Sequence, residues 1–142
     1  MKILSIETSC DETSIAFLTA TGDVKNPAFT VLKNIISSQI ALHAPFGGVV
    51  PNIAKREHIK NLPLLFSENF SASESESIDL IAVTVGPGLE PALWAGIEFA
   101  KSLAEKIKKP IIGANHLEGH LYSILLSPET TKPSFPAIGL LV

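Results

Sequence analysis

The chain has 142 residues, of which 46% are hydrophobic and 18% charged, so it is long enough for one domain with a buried core and too apolar for intrinsic disorder. Its formal net charge of -3 gives no overall basic signature of nucleic-acid binding. A single cysteine, Cys10, excludes a disulfide within the chain, and no apolar run approaches the roughly 20 residues of a membrane span, so we expect a cytoplasmic protein with no membrane segment.

The first part of the chain is predicted to form an antiparallel meander of strands. Residues 2–7 alternate apolar and polar side chains, residues 13–19 contain a second apolar run, and residues 29–40 offer a third. Polar turns separate these runs at residues 8–12 and at Gly22-Asp23.

A helix is predicted to begin at Pro51, because proline suits the first helical turn. Side chains that can pack then follow at helical spacing: Ala54, His58, Leu62 and Leu65. Pro63 lies inside this pattern and is expected to kink or restart the helix. The Ser/Glu-rich segment 71–77 is predicted to be a solvated loop.

The next part of the chain alternates strands with helices. Residues 79–85 are typical of a buried parallel strand, residues 91–108 of an amphipathic helix, and residues 110–114 of a further strand. Asn115 can cap the short helix that follows. This order implies a mixed five-stranded sheet with flanking helices, as in ribonuclease-H-like and actin-like ATPase lobes.

The C-terminal residues suggest the start of a second lobe. Residues 127–134 contain two prolines and are predicted to be a linker, which leaves residues 1–126 as the first lobe. Residues 135–142 are predicted to be a strand that stops within an apolar run. Because natural domains seldom end inside a buried strand, we expect the chain to be a fragment in which residues 135–142 begin the second lobe.

His116 and His120 are the first candidate site. They are four residues apart on a predicted helix, so both imidazoles project from one face, a spacing that suits two ligands of one transition-metal ion. The alternative is two unrelated surface histidines. Glu118 lies on the far side of the helix and does not directly follow the first histidine, so it cannot be the general base of a zinc protease.

The turn between the first two strands is the second candidate site. Ser9, Asp11 and Glu12 concentrate hydroxyl and carboxylate groups there. Hydroxyls and free N–H groups in such a turn can hold phosphate oxygens, and carboxylates can act on phosphate through a cation or an ordered water. The alternative is an ordinary polar hairpin turn.

Two further features lie on the helices. His58 shares the apolar stripe of the first helix, which favours a packed core histidine. The second helix carries small residues four apart, at Ala92, Gly96 and Ala100. They form a flat stripe that packs either on the lobe's own sheet or against a helix of a partner protein.

Four segments together resemble one family in their order and spacing. They are Ile-Glu-Thr-Ser-Cys-Asp-Glu-Thr-Ser (6–14), Gly-Gly-Val-Val-Pro (47–51) with Arg-Glu-His (56–58), Thr-Val-Gly-Pro-Gly-Leu (84–89) and Asn-His-Leu-Glu-Gly-His (115–120). Over residues 3–142 the chain resembles the N-terminal half of the TsaD family of tRNA threonylcarbamoyl transferases. The resemblance implies an actin-like ATPase fold. It also implies transfer of threonylcarbamoyl to the N6 amine of the adenosine beside the anticodon, in tRNAs that read codons beginning with adenine.

The resemblance also implies cofactors. By the resemblance, His116 and His120 are ligands of one divalent transition metal, iron or zinc. The third protein ligand lies near the C-terminus of the family's proteins. The adenine nucleotide is the donor threonylcarbamoyl-AMP, or ATP. In the family, the third ligand and part of the substrate site belong to the part of the sequence that would follow residue 142 of this chain. We therefore expect this fragment alone to be inactive.

The remaining site residues are likewise implied by the resemblance. Asp11 and Glu12 match the catalytic turn at the reaction centre, and Ser9 matches a position near the phosphates. Leu141 and Val142 match the start of a segment that lines the substrate.

The resemblance implies tRNA, TsaB-like and TsaE-like proteins as partners, with a heterodimer formed through helices of the N-terminal lobes. Two rival interpretations share the fold. One is a sugar or acyl-phosphate kinase, and the other is a non-catalytic partner of the TsaB type. Neither needs His116 and His120, so metal content separates both from the transferase.

Overall fold

A computed structural model of the chain describes residues 1–23, 26–126, 136 and 138–140. The strands are β1 (Lys2–Glu7), β2 (Glu12–Gly22), β3 (Pro27–Ser38), β4 (Leu80–Gly86) and β5 (Ile111–Asn115). β1, β2 and β3 pair antiparallel, whereas β4 is parallel to β1 and β5 is parallel to β4. The order β3-β2-β1-β4-β5 confirms the predicted meander and the mixed five-stranded sheet.

The helices are α1 (Ile40–His43), α2 (Pro51–Asn69), α3 (Ala72–Glu76), α4 (Glu90–Ile107) and α5 (His116–Tyr122). α2 and α4 contact each other, and they pack on β2 and β4 respectively. Because successive strand residues face opposite sides of a sheet, Leu4 and Ile6 of β1 point to the same side, where both are fully buried. They form one apolar cluster with Leu62 of α2 and with Ala100 and Leu103 of α4.

α2 runs without interruption through Pro63, so the expected restart is wrong. Proline removes one helical hydrogen bond, but Pro63 is exposed, where the freed carbonyl can meet water. The buried residues of α2 hold both halves of the helix on the core; they are Ala54, His58 and Leu62.

The segment predicted to be a loop at residues 71–77 contains α3 instead, so that prediction is wrong. Ser71 is the N-cap, and its hydroxyl accepts from the Glu74 N–H at 3.3 Å. The Glu74 carboxylate in turn accepts from the Ser71 N–H at 3.0 Å. This reciprocal capping box stabilises a short helix that composition alone does not indicate.

The small-residue stripe of α4 packs on the lobe itself. Ala92, Gly96 and Ala100 are buried, and the Thr8 hydroxyl donates to the Ala92 carbonyl at 2.9 Å. A Cβ atom placed on Gly96 would lie 2.3 Å from that hydroxyl oxygen. The interpretation of this stripe as a surface for a partner helix is therefore wrong, because Thr8, which directly follows β1, occupies it.

The C-terminal predictions fall mostly outside the described residues. The linker at 127–134 lies there, as do Leu141 and Val142. Residues 138–140, part of the strand predicted at 135–142, have no strand structure, and Ile138 and Leu140 are exposed. An extended segment becomes a strand only where it pairs with a neighbour strand, and within the described ranges these residues have no such neighbour.

Among the described residues, every helix is too short or too polar to cross a lipid bilayer.

Replacing Gly96 with alanine is expected to lower the free energy of unfolding by about 1–3 kcal/mol, because the new methyl group must displace Thr8 or α4. Denaturant unfolding of the purified protein measures this. Gly48→Ala is the matched control, since Gly48 is exposed and an added Cβ would meet nothing within 4 Å. Equal stability of the two variants would contradict the close approach of α4 to β1.

Candidate functional site

The candidate site lies at the edge of the sheet where the parallel strands β1, β4 and β5 end. Glu7 ends β1, Thr84 lies near the end of β4, and Asn115 ends β5. Parallel strands bring their carboxyl ends to one edge, and this edge commonly forms ligand sites in open α/β sheets. Both candidate sites predicted from the sequence therefore meet here, since one follows β1 and the other follows β5.

The histidine pair is held by a well-formed helix start. The Asn115 side chain accepts from the N–H groups of Leu117 and Glu118, so the predicted N-cap of α5 is confirmed. The Nε2 atoms of His116 and His120 lie 3.1 Å apart, with the two rings edge to face. Two imidazole nitrogens that converge in this way can share a proton, or both can present lone pairs to one cation.

Glu7 links the turn, the sheet and the histidine pair. Its carboxylate accepts from the Ser9 N–H at 2.5 Å and from the Thr84 hydroxyl. The same carboxylate oxygen that faces Thr84 lies 3.3 Å from Nδ1 of His116. When this carboxylate accepts from Nδ1–H, the lone pair of His116 is on Nε2, the atom that faces His120.

The ionised form of Glu7 is favoured in the fold. Partial burial raises its pKa, but the hydrogen bonds from Ser9, Thr84 and His116 outweigh burial and hold the pKa below its ordinary value. Glu7 was not singled out in the sequence. Its position at the end of a strand next to a candidate turn is the signal that could have identified it.

The segment that follows β1, here called the Ser9–Glu12 turn, shares a cleft with the histidine pair. The cleft has a volume of about 300 Å³, and its lining includes Glu7, Ser9, Asp11, Glu12, His116 and His120. The Ser9 hydroxyl lies 3.3 Å from Nδ1 of His116. In the described part of the chain, no third His, Cys, Asp or Glu forms a metal-binding group with the histidine pair.

The N-terminus of α4 closes against the Ser9–Glu12 turn. Leu89, the N-cap of α4, donates its N–H to the Ser9 carbonyl at 2.7 Å. A Cβ atom on Gly88 would lie 2.7 Å from the same oxygen, so this approach requires glycine. The segment at Gly88, between β4 and α4, therefore packs on the Ser9–Glu12 turn itself.

His58 supports the turn from the protein interior. The side chain is fully buried, which confirms the predicted core histidine. Its Nδ1 lies 2.8 Å from the Thr13 hydroxyl, and its Nε2 lies 3.0 Å from the Cys10 carbonyl oxygen. Burial lowers the pKa of His58 below its ordinary value, against the hydrogen bond to Cys10 and the negative charges of Glu7 and Asp11. The apolar stripe of α2 predicted the burial but not the contact with the turn.

Comparison with known families decides the family. The model of TsaD, tRNA N6-adenosine threonylcarbamoyltransferase, matches residues 30–142. The chain belongs to the TsaD family. This confirms the resemblance found in the four sequence segments.

Curated relatives with the name tRNA N6-adenosine threonylcarbamoyltransferase agree with this TsaD assignment. The protein from Fervidobacterium nodosum is 51% identical over 95% of this chain and 38% of its own length. The protein from Thermotoga neapolitana is 43% identical over 95% of this chain and 39% of its own length. The protein from Aromatoleum aromaticum is 48% identical over all of this chain and 40% of its own length. The chain thus spans about 40% of the length of the curated relatives that it matches.

Solved structures support the fold. YeaZ from Pseudomonas aeruginosa superposes with a TM-score of 0.53 at 20% identity, over 86% of this chain and 48% of its own. RuvC of T. thermophilus, in a complex with its Holliday junction substrate, superposes with a TM-score of 0.55 at 8% identity, over 94% of this chain and 84% of its own. These TsaD-family residues therefore have the fold that the resemblance implied, an actin-like, ribonuclease-H-like lobe.

The lowered pKa of His58 predicts a pH dependence of stability. The unfolded chain has the ordinary histidine pKa of 6.5, so below pH 6.5 it binds a proton that the folded form resists. The stabilisation is complete above pH 6.5 and is lost as the pH falls toward the folded pKa. The slope of unfolding free energy is at most about 1.4 kcal/mol per pH unit.

Urea unfolding at a series of pH values between pH 6.5 and the folded pKa measures this slope. His58→Gln has no titrating group at this position, so its unfolding free energy should change less with pH. Parallel curves for the wild type and His58→Gln would contradict a buried, neutral His58.

Proposed function

We propose that the complete protein to which this chain belongs transfers threonylcarbamoyl from threonylcarbamoyl-AMP to the N6 amine of the tRNA adenosine beside the anticodon, in tRNAs that read codons beginning with adenine. The family and the names of its curated relatives support this activity. The observation in this lobe that carries the proposal is the convergence of the histidine pair and the Ser9–Glu12 turn in one cleft. Since tRNA modification takes place where tRNA is, we also propose a cytoplasmic location.

The residues present fit a divalent transition metal, iron or zinc. His116 and His120 would hold it through their converging Nε2 atoms, and Glu7 would orient His116. Such a metal, when bound, supplies a Lewis acid that stabilises negative charge on a carbonyl oxygen. Such a cation would offset the repulsion between an anionic adenylate and the carboxylates of Glu7, Asp11 and Glu12 at the cleft.

The reaction needs one proton transfer and one leaving group. The N6 nitrogen forms a bond to the carbamoyl carbon, the bond from that carbon to the phosphate oxygen breaks, and AMP leaves. The proton lost from N6 needs an acceptor, a role we assign to Asp11 or Glu12. The Ser9 hydroxyl is suited to a phosphate oxygen, and we retain Leu141 and Val142 as nucleotide-binding residues.

A groove between α2 and α4 supports the proposal of a TsaB-like partner. This groove is lined by Lys55, Ile59, Trp94 and Glu98 among others, and Ile59 and Trp94 are about half exposed. We propose heterodimer formation through these helices, with a TsaE-like protein as a further component. A TsaB-like role for the chain itself is the second candidate, since YeaZ shares its fold, but the histidine pair favours the transferase.

The metal proposal predicts that the complete protein binds about one transition-metal ion per chain. His116→Ala and His120→Ala should each release most of it, since a site with fewer ligands holds metal weakly. Elemental analysis of the purified protein measures the content. Glu118→Gln is the matched control on the same helix and should keep its metal.

Glu7→Gln should retain the metal but weaken its affinity by about 10- to 100-fold, because an amide orients the His116 ring less well than a carboxylate. Titration with the metal in the presence of a chelator measures this affinity.

For the histidine variants, a metal content equal to that of the wild type in both His116→Ala and His120→Ala would contradict the assignment of the metal site.

The transferase proposal predicts modified adenosine on tRNA incubated with the complete protein, threonylcarbamoyl-AMP and the partner proteins. Asp11→Asn or Glu12→Gln should lower the rate by about 100-fold or more if the altered carboxylate accepts the proton. Mass spectrometry of digested tRNA measures the product. Glu76→Gln, a matched change on the exposed surface of α3, should leave the rate unchanged. Full activity in both turn variants would contradict the assigned roles.

A further inference from the structure

We infer that His58 is a positioning residue for the Ser9–Glu12 turn: its Nε2–H holds the Cys10 carbonyl toward the protein interior and so fixes where Asp11 and Glu12 present their carboxylates. The inference deepens the proposed function and rests on it, because Asp11 and Glu12 lie at the reaction centre only if that function is correct. His58 itself does not line the cleft in the described structure, so its action on the reaction passes through the turn.

The hydrogen-bond partners of His58 determine its tautomer. The Cys10 carbonyl oxygen can only accept, so Nε2 of His58 carries a proton. In the neutral ring Nδ1 is then an acceptor, and two donors face it: the Thr13 hydroxyl at 2.8 Å and the Gln39 side-chain amide at 3.3 Å. Burial of the ring favours this neutral form.

The hydrogen bonds behind Gln39 also donate toward the turn. The Gln39 side-chain oxygen lies 3.1 Å from Nε2 of His43, which must therefore be the donor. Nδ1 of His43 is then free to accept from the Val50 N–H at 3.3 Å, where α2 begins. These hydrogen bonds thus form one continuous series in which every donor faces an acceptor, from Val50 through His43, Gln39 and His58 to Cys10. If His58 carried its proton on Nδ1 instead, two contacts would be mismatched. The Nε2 lone pair would face the Cys10 carbonyl oxygen, and the Nδ1–H would face the donating amide of Gln39.

Three consecutive carbonyls of the turn are held from three parts of the fold. Leu89 N–H donates to the Ser9 carbonyl at 2.7 Å, and Gln39 N–H donates to the Asp11 carbonyl at 2.9 Å. His58 holds the carbonyl between them, on Cys10. Of these three donors, His58 is the one side chain, so it is the contact that a substitution can remove while the backbone remains intact.

The positions of these carbonyls also determine the orientation of the peptide groups and side chains that follow them. A trans peptide group holds its C=O and N–H antiparallel, so an inward carbonyl on Cys10 turns the Asp11 N–H away from His58. The peptide planes on both sides of Asp11 are therefore set by Cys10 and Asp11 carbonyl contacts. The direction of the Asp11 side chain follows from these two planes, and Glu12 begins β2 immediately afterwards.

Two substitutions separate the two ends of the imidazole. Glutamine extends far enough to place an N–H near the His58 Nε2 position, so His58→Gln can still donate to Cys10. Asparagine is shorter and places its polar atoms near the Nδ1 position, so His58→Asn can still contact Thr13 but not Cys10. Ile78→Ala is the matched control for lost stability, because Ile78 is fully buried but precedes β4 at the opposite end of the sheet.

The experiment measures kcat and KM for tRNA modification by the complete protein with its partners. His58→Asn should lower kcat by about 10- to 100-fold with KM changed less than about threefold, since small displacements of reacting groups have effects of this size. His58→Gln should recover kcat to within about threefold of the wild type. Ile78→Ala should be less stable yet keep its kcat at a temperature where it is folded.

A kcat for His58→Asn equal to that of His58→Gln would overturn the inference, whether both are active or both inactive. A fall in kcat for Ile78→Ala as large as that for His58→Asn would also overturn it, because loss of stability would then be sufficient.

Nitrogen NMR of the complete protein provides a test that needs no substrate. We expect the Nε2–H tautomer of His58, and amide signals of Asp11 and Glu12 that move in His58→Asn more than in His58→Gln. The Nδ1–H tautomer, or unmoved turn signals, would overturn the inference. A wild-type protein that transfers nothing would overturn the proposed function, whereas the NMR result would still decide the contact of His58 with the turn.

Discussion

The parallel pairing of β1, β4 and β5 is the constraint on which the rest of this lobe depends. The register aligns Ile3 of β1 with Leu80 of β4, and Ile81 of β4 with Ile111 of β5. Because all three strands then end at one edge, whatever follows them in sequence is brought together in space. The shared edge makes the Ser9–Glu12 turn and α5 neighbours, and the contacts of Ser9 and Glu7 with His116 join them.

Electrostatics at that edge are dominated by carboxylates, and Glu7 is the best anchored of them. A backbone N–H and a hydroxyl donate to Glu7, and this keeps it ionised despite partial burial. Asp11 and Glu12 add further carboxylates to the same cleft. In the proposed function, a cation held by the converging imidazoles would offset the repulsion between an anionic nucleotide and these carboxylates.

Close packing behind the turn explains why small residues follow β4. Gly88 allows the N-terminus of α4 to reach the Ser9 carbonyl, and Gly96 allows the same helix to reach Thr8. The turn is thus held between α4 on one side and the buried ring of His58 on the other. Together with the Gln39 N–H that donates to the Asp11 carbonyl, these contacts hold the short turn in place from outside it.

Local sequence determined much of this protein. Alternating side chains predicted the strands, helical spacing predicted α2 and α4, and Asn115 predicted the start of α5, because each signal depends on residues within a few positions of one another. Order and spacing of four segments also identified the family. Local signals failed at α3, where one Ser-Glu capping box outweighed a loop-like composition.

Only the tertiary structure decided which residues lie together. Glu7 and His116 are 109 positions apart, and His58 and Cys10 are 48 apart, so no local pattern links either pair. The sequence pattern at Ala92, Gly96 and Ala100 fits either the lobe's own packing or a partner helix, and in the fold Thr8 occupies it. Contacts of this kind form only after the strands have paired and the helices have packed, and their distances depend on that packing rather than on sequence separation.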